Sequence, residues 1–147
     1  MKLKQLSVFL ENRPGALSEP CRLLAKAGLS IQTFSLADTR EFGILRLIVE
    51  DTDKARRLLQ RNGFAVKVTE VVALDVPDRP GGLAAILAAL DGTDINVEYA
   101  YAFTTKHRGH GLLLFRFNDP DAAIRTLKAR KINAIGTEEL SRRLKDV

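Results

Sequence analysis

Arg13-Pro14-Gly15-Ala16-Leu17 returns as Arg79-Pro80-Gly81-Gly82-Leu83, and this repetition decides the fold. From 13 to 79 the offset is 66, and at that offset Leu24 meets Leu90 and Ile31 meets Val97. Further on, Gly43-Ile44-Leu45 meets Gly111-Leu112-Leu113 at an offset of 68, the slip falling where Thr104 to His110 is longer than its counterpart. Asp51, Asp53, Ala55 and Leu59 then match Asp119, Asp121, Ala123 and Leu127. Order, residue type and spacing all persist, so the chain contains one structural unit twice.

Outward from the first motif, Leu3 to Leu10 alternates and predicts a strand. Asn12-Arg13-Pro14-Gly15 predicts a turn that opens a helix, with Asn as cap and Pro in the first helical position. Leu17, Leu23, Leu24 and Ala27 form its apolar stripe, and Gly28 ends it as a left-handed cap. Pro20 inside that helix is expected to remove a hydrogen bond and bend it. Ser30 to Asp38 predicts a second strand, Thr39 to Phe42 a turn, and Gly43 to Glu50 a third strand. Asp51 to Asn62 reads as a helix with acids at its positive end, and Ala65 to Thr69 as a fourth strand.

The second unit gives Val71 to Val76, helix Pro80 to Leu90, and a hairpin of Ile95 to Phe103 with Gly111 to Phe117. Helix Asp119 to Arg130 and a short strand Ile132 to Gly136 complete it. The order is β-α-β-β-α-β twice. The fold class is therefore α+β: two ferredoxin-like βαββαβ repeats side by side, antiparallel sheets with helices on one face. The expected domains are 1–70 and 71–137, followed by a charged tail at 138–147 that reads as a frayed helix. With no Pro/Gly/Ser linker near Glu70, the units are expected to meet edge to edge in one sheet. The uncovered face carries Ile44 and Ile48 around Arg46, and Leu112 and Leu114 before Arg116. A second copy of the chain, giving a homodimer, or the tail folding over it is expected to bury that face.

Composition narrows the function. Hydrophobic residues make up 46% and charged residues 28% of 147 residues, the balance of a globular protein with a core. The net charge is +5, but the basic residues sit beside acids and read as solvated helix faces. The single Cys21 excludes an intrachain disulfide and a multi-cysteine metal site. No signal-peptide core and no apolar run of membrane-spanning length is present, so a cytoplasmic location is expected. No nucleic-acid or membrane partner is expected. The third strands have Ile44 and Arg46, or Leu112 and Leu114, where an RNA-stacking module needs rings. Phosphate-loop, nucleophile-elbow and metal-ligand motifs are missing, so neither catalysis nor a cofactor is expected. His107 and His110 read as a polar hairpin loop, Tyr99, Tyr101 and Phe103 as core, and Cys21 as a small core residue. Asp38 and Thr39 are read as turn-shaping.

The N/D-R-P-G-x-L turn after a first strand, followed by a helix and an Ile-rich strand opening, resembles the ACT domain. Phe34-Ser35-Leu36-Ala37-Asp38-Thr39, Phe42-Gly43-Ile44-Leu45-Arg46 and Asn96-Val97-Glu98-Tyr99-Ala100-Tyr101-Ala102-Phe103 are similar to small proteins made of two ACT domains. The resemblance covers Lys2 to about Gly136. It implies a regulatory module that binds a free amino acid where ACT domains pair. The ligand residues it implies are Asn12, Arg13, Pro14, Gly15 and Ala16, and Asp78, Arg79, Pro80, Gly81 and Gly82. The family's Asn at the second-strand opening is Asn96 in the second repeat, whereas the first has Ser30 there.

The chemistry of a zwitterion fits these residues. Helix-start N–H groups attract a carboxylate, and glycines let a ligand approach the backbone. Asn12 and Asp78 accept from an ammonium, and Ser30, Gln32 and Asn96 add polar groups from the adjoining strand. Arg13 and Arg79 are candidate carboxylate clamps. An output through an unidentified enzyme or regulator is expected, since the chain shows no effector domain. The competing expectation is an interaction or dimerisation module without a ligand.

Overall fold

A computed structural model describes residues 1–38 and 40–145, without the side chains of 104–106. The turn expected at Thr39 to Phe42 therefore falls partly, and the last residues of the expected tail wholly, outside the described residues. The chain forms two compact units: Lys4–Thr69, and Met1–Leu3 together with the chain from Glu70 onward.

The first unit runs β1 (Leu3–Glu11), α1 (Ser18–Lys26), β2 (Ile31–Asp38), β3 (Phe42–Val49), α2 (Thr52–Arg61) and the start of β4 (Ala65–Pro77). β3 lies between β2 and β1, antiparallel to both. Alternation sends Leu6, Val8 and Leu10 of β1 and Leu45, Leu47 and Val49 of β3 to one face, where Leu24 of α1 and Ala55 and Leu59 of α2 cover them. Fully burying one such leucine contributes about 1.5–3 kcal/mol. α2 starts at Asp51, whose side chain accepts from the Lys54 amide at 3.1 Å, a cap of about 1 kcal/mol.

The second unit continues with α3 (Gly82–Ala88), β5 (Val97–His107), β6 (His110–Phe117), α4 (Pro120–Ala129) and α5 (Thr137–Lys145). β6 pairs with both β4 and β5. Its core joins Val72, Leu74 and Val76 to Phe115 and Phe117, under Ile86 and Leu90 from the α3 side and Ala123 and Leu127 of α4. Asp119 caps α4 as Asp51 caps α2, accepting from the Ala122 amide at 3.1 Å. Lys2 is tied in by ion pairs to Glu70 at 2.9 Å and Asp121 at 3.1 Å.

Several expectations change. α1 begins at Ser18, six residues after Asn12, and its cap position, Leu17, makes no side-chain cap bond. Pro20 is thus the third helical residue, where the N–H it lacks has no intrahelical partner, and it is buried without breaking a bond of the helix ladder. Residues 65–77 form one strand rather than two, because no glycine or proline interrupts them before Pro77. Ile132 to Gly136 contributes only a single bridge, Ile135 to Ala73.

The expected frayed tail is an ordered helix. Arg143 of α5 bonds Asp75 at 2.5 Å, and Asp75 faces the same side of the sheet as its cross-strand neighbour Leu112. That side, opposite α3 and α4, holds Ala73, Leu112, Leu114 and Leu140, all buried. Helices therefore cover both faces of the second unit.

Candidate functional site

The two Arg-Pro-Gly turns are built from the same hydrogen bonds. The Asn12 amide donates to the Glu41 carbonyl at 3.0 Å, and the Asp78 amide to the Gly109 carbonyl at 3.0 Å. Arg13 donates back to Glu11 at 3.0 Å, and Arg79 to Pro77 at 2.9 Å. Ala16 donates to Arg13 at 3.2 Å, and Gly82 to Arg79 at 3.0 Å. Glu19 then donates to Gly15, and Ala85 to Gly81. Gly15 and Gly81 take φ values of +84° and +83°, which a Cβ would oppose. Each turn is thus a rigid loop pinned to the tip of its own unit's β-hairpin.

This geometry assigns the motif residues different roles. Asn12 does not cap α1; its side-chain amide reaches the Arg40 carbonyl at 3.5 Å. Arg13 pairs with Glu11 at 3.0 Å and approaches Glu19 at 3.9 Å. The amides of Arg13, Ala16 and Glu19 are spent within the turn, as are those of Arg79, Gly82 and Ala85. Asn12, Arg13, Pro14 and Gly15 remain exposed, as do Asp78, Arg79, Pro80 and Gly81. Ala16 and Gly82 are buried. A Cβ on Gly82 would lie 2.1 Å from the Pro77 carbonyl oxygen. Its missing side chain serves the packing of α3 on β4, not access by a ligand.

The strand-opening residues lie elsewhere. Register places Asp38 opposite Gly43 and Ile31 opposite Val49, with Glu11 opposite Phe42. The end of β2 is therefore beside the first turn, and Ser30 and Gln32 sit towards the far end of the sheet, roughly 25 Å away along the strand. The same holds in the second unit, where His107 and His110 close the hairpin near Asp78 while Val97 pairs with Phe117. Asn96 lies at that opposite end. Its backbone is clamped by Asn118: the Asn96 amide donates to the Asn118 side chain at 2.8 Å, and the Asn118 amide donates back to the Asn96 carbonyl at 3.1 Å. Within one unit, the turn residues and the strand-opening residues form two separate clusters.

The sequence did not single out Asn118 or Phe9, and Phe42, expected in the turn, opens β3 instead. Phe9 is opposite Ile44, and Phe42 is on the same face beside the first turn. They are 47% and 54% exposed, too much for core residues. The alternation of β1 was legible at Phe9; that both rings stay about half exposed was not. Cys21 is partly buried, and burial pushes its thiol up, away from the thiolate a nucleophile needs. His107 and His110 flank a two-residue turn at Arg108-Gly109 rather than lying in a long loop. Among the described residues no cluster of three or more potential ligands that could hold a metal ion occurs. No helix among them is long and apolar enough to cross a membrane.

Comparison with known proteins places these features. The family described as an ACT domain pair matches residues 1–144. Protein BT0572 from Bacteroides thetaiotaomicron is 38% identical, with a TM-score of 0.88 over 95% of this chain and 96% of that one. The ligand-free regulatory subunit of aspartate kinase from Thermus thermophilus is 16% identical, with a TM-score of 0.60 over 86% of this chain and 91% of that one. E. coli aspartokinase III in complex with lysine and aspartate is 18% identical, with a TM-score of 0.53 over 88% of this chain and 31% of that one. The two kinase likenesses show the shared fold. No curated protein gives a significant match.

Proposed function

The chain belongs to the ACT domain pair family, and from that premise we propose that it is a regulatory sensor of a free amino acid. The observation that carries this reading is the duplicated turn, matched bond for bond at Asn12–Ala16 and Asp78–Gly82. Capping alone does not account for it, because Asn12 caps no helix. Aspartokinase III, which shares the fold, has been solved with lysine and aspartate bound.

In the proposed site, the ligand ammonium meets Asn12 or Asp78 and turn carbonyls. The carboxylate meets Arg13 or Arg79, with Pro14 and Gly15, or Pro80 and Gly81, as the wall, and the buried Ala16 or Gly82 holding the turn from behind. Arg13 is available because its pair with Glu11 is exposed, and such pairs contribute about 0–1 kcal/mol. Ser30, Gln32 and Asn96 join only if another ACT fold brings its strand opening to a turn, and a second copy of the chain supplies one. The sensor is therefore proposed to act as a homodimer, to pass its state to an enzyme or regulator, and to catalyse nothing. It is proposed to work in the cytoplasm.

Thermal unfolding against each of the twenty amino acids at about millimolar concentration tests this. At a hundredfold excess over Kd a ligand stabilises by about 2.7 kcal/mol, or roughly 5–10 °C for a chain of this size. Asn12→Ala and Asp78→Ala should each remove the shift if their turn holds the ligand. A folded sample that shifts with none of the twenty would sink the sensor reading. It would favour a ligand-free interaction module, to which the exposed Phe9, Phe34, Leu36 and Phe42 lend support.

A further inference from the structure

A cavity of about 390 Å³ opens where the tip of the β5–β6 hairpin meets α5. β4 contributes Asp75; the hairpin contributes His107, Arg108 and His110. α5 contributes Glu139, Arg142 and Arg143, spaced so that they share one helical face. Every lining side chain is ionisable, so a charged ligand is the better match. The size is that of a small-molecule site.

The walls are fixed. Arg108 and Gly109 have φ values of +48° and +75°, the signature of a tight two-residue hairpin turn. His107 and His110 face each other across it. Arg143 is held by Asp75 at 2.5 Å and by Glu139 at 2.7 Å, and Arg142 also bonds Glu139. Both carboxylates are thereby committed to arginines. Three arginines face two carboxylates, leaving net positive charge before either histidine is counted. His110 Nδ1 donates to the Arg108 carbonyl at 3.1 Å and so helps fix the turn, while His107 can offer a ring N–H.

We propose that this cavity binds a small anion carrying two negative charges, a dicarboxylate or a phosphate group, held by Arg108 and Arg142 and hydrogen-bonded by His107, with His110 bracing the turn that presents Arg108. Two charges are needed for one ligand to engage both guanidinium groups and compete with Glu139 for Arg142. Planar guanidinium groups match either head group in a bidentate fashion. None of the Arg-Pro-Gly turn residues lines the cavity; the second turn adjoins it, its Asp78 amide bonded to the Gly109 carbonyl, but the two sites share no residue.

Calorimetric titration of the whole chain with inorganic phosphate, and separately with succinate, tests the assignment at matched ionic strength in sodium chloride. Saturable binding is expected for at least one of them. Arg142→Gln and Arg108→Asn are expected to weaken it at least tenfold while leaving ligand-free thermal unfolding in place. Asn is chosen at 108 because it tolerates positive φ. Binding of phosphate alone assigns a phosphate head group, and of succinate alone a dicarboxylate. The amino-acid screen repeated on Arg142→Gln should give the same thermal shifts as on the unsubstituted chain, so this result and that screen stand or fall separately. No saturable heat with either anion overturns the proposal, as does undiminished affinity in both variants.

Discussion

At the scale of single residues, the motif glycines separate into two kinds that look identical in sequence. Gly15 and Gly81 are needed for their positive φ, and an Arg-Pro-Gly turn announces that. Gly82 is needed because the Pro77 carbonyl occupies the space of its Cβ, and no local pattern reveals a contact of that kind. Gly15→Ala should therefore destabilise by about 1–2 kcal/mol through backbone strain. Gly82→Ala should destabilise by about 1–3 kcal/mol through overpacking and should also disturb α3. Urea denaturation measures both, and a neutral Gly82→Ala would show that α3 yields to the new methyl group. Pro20 carries the same lesson. With Pro14 as the first helical residue it would break a bond of the ladder, but α1 begins at Ser18 and Pro20 falls in the first turn, where no such bond is lost.

At the scale of elements, most of the fold was legible because local chemistry and long-range packing agree. Asp51 and Asp119 cap the helices they were expected to open, and the alternating strands bury the sides their patterns indicate. α5 was the exception. Its acids at the start and bases at the end suit a helix, but its apolar content is too small to show what it covers. Its hold comes from Leu140 and from Arg143, whose guanidinium bonds Asp75 and Glu139. Leu140→Ala should remove about 2–5 kcal/mol, read as loss of slow amide exchange along α5. The hydrogen bond from Arg143 also holds the Glu139 carboxyl below its usual value of 4.5. A depressed carboxylate contributes stability that is complete above that value and lost as pH falls through the folded-state value. Exchange protection of α5 should therefore decline as the solution is acidified below pH 4.5, and Glu139→Gln should flatten that decline. An unchanged acid profile in the variant would exclude Glu139 as the cause.

At the scale of the whole molecule, the family was legible from one repeated pentapeptide, whereas the candidate ligand site was only half legible. The sequence brings Asn12 and Ser30 together by family pattern, but antiparallel pairing carries them to opposite ends of their unit. In the proposed function an assembly completes the site, and no single chain's sequence displays one. Phe34 and Leu36 on β2 are 55% and 47% exposed, with Phe9 and Phe42 exposed on the other side of the sheet. Apolar exposure of this kind suits burial by a second copy. Phe34→Glu should then shift the protein from dimer to monomer in sedimentation velocity; a wild-type protein that sediments as a monomer at tens of micromolar would rule the dimer out.

The position of α5 along the chain has a consequence for biosynthesis. Translation is vectorial, proceeding at about 5–20 residues per second. Ala73, Leu112 and Leu114 are polymerised before the helix that lies on their side of the sheet. This side of the second unit therefore waits for the last element of the chain to be covered, whereas the first repeat is synthesised with both of its own helices inside it.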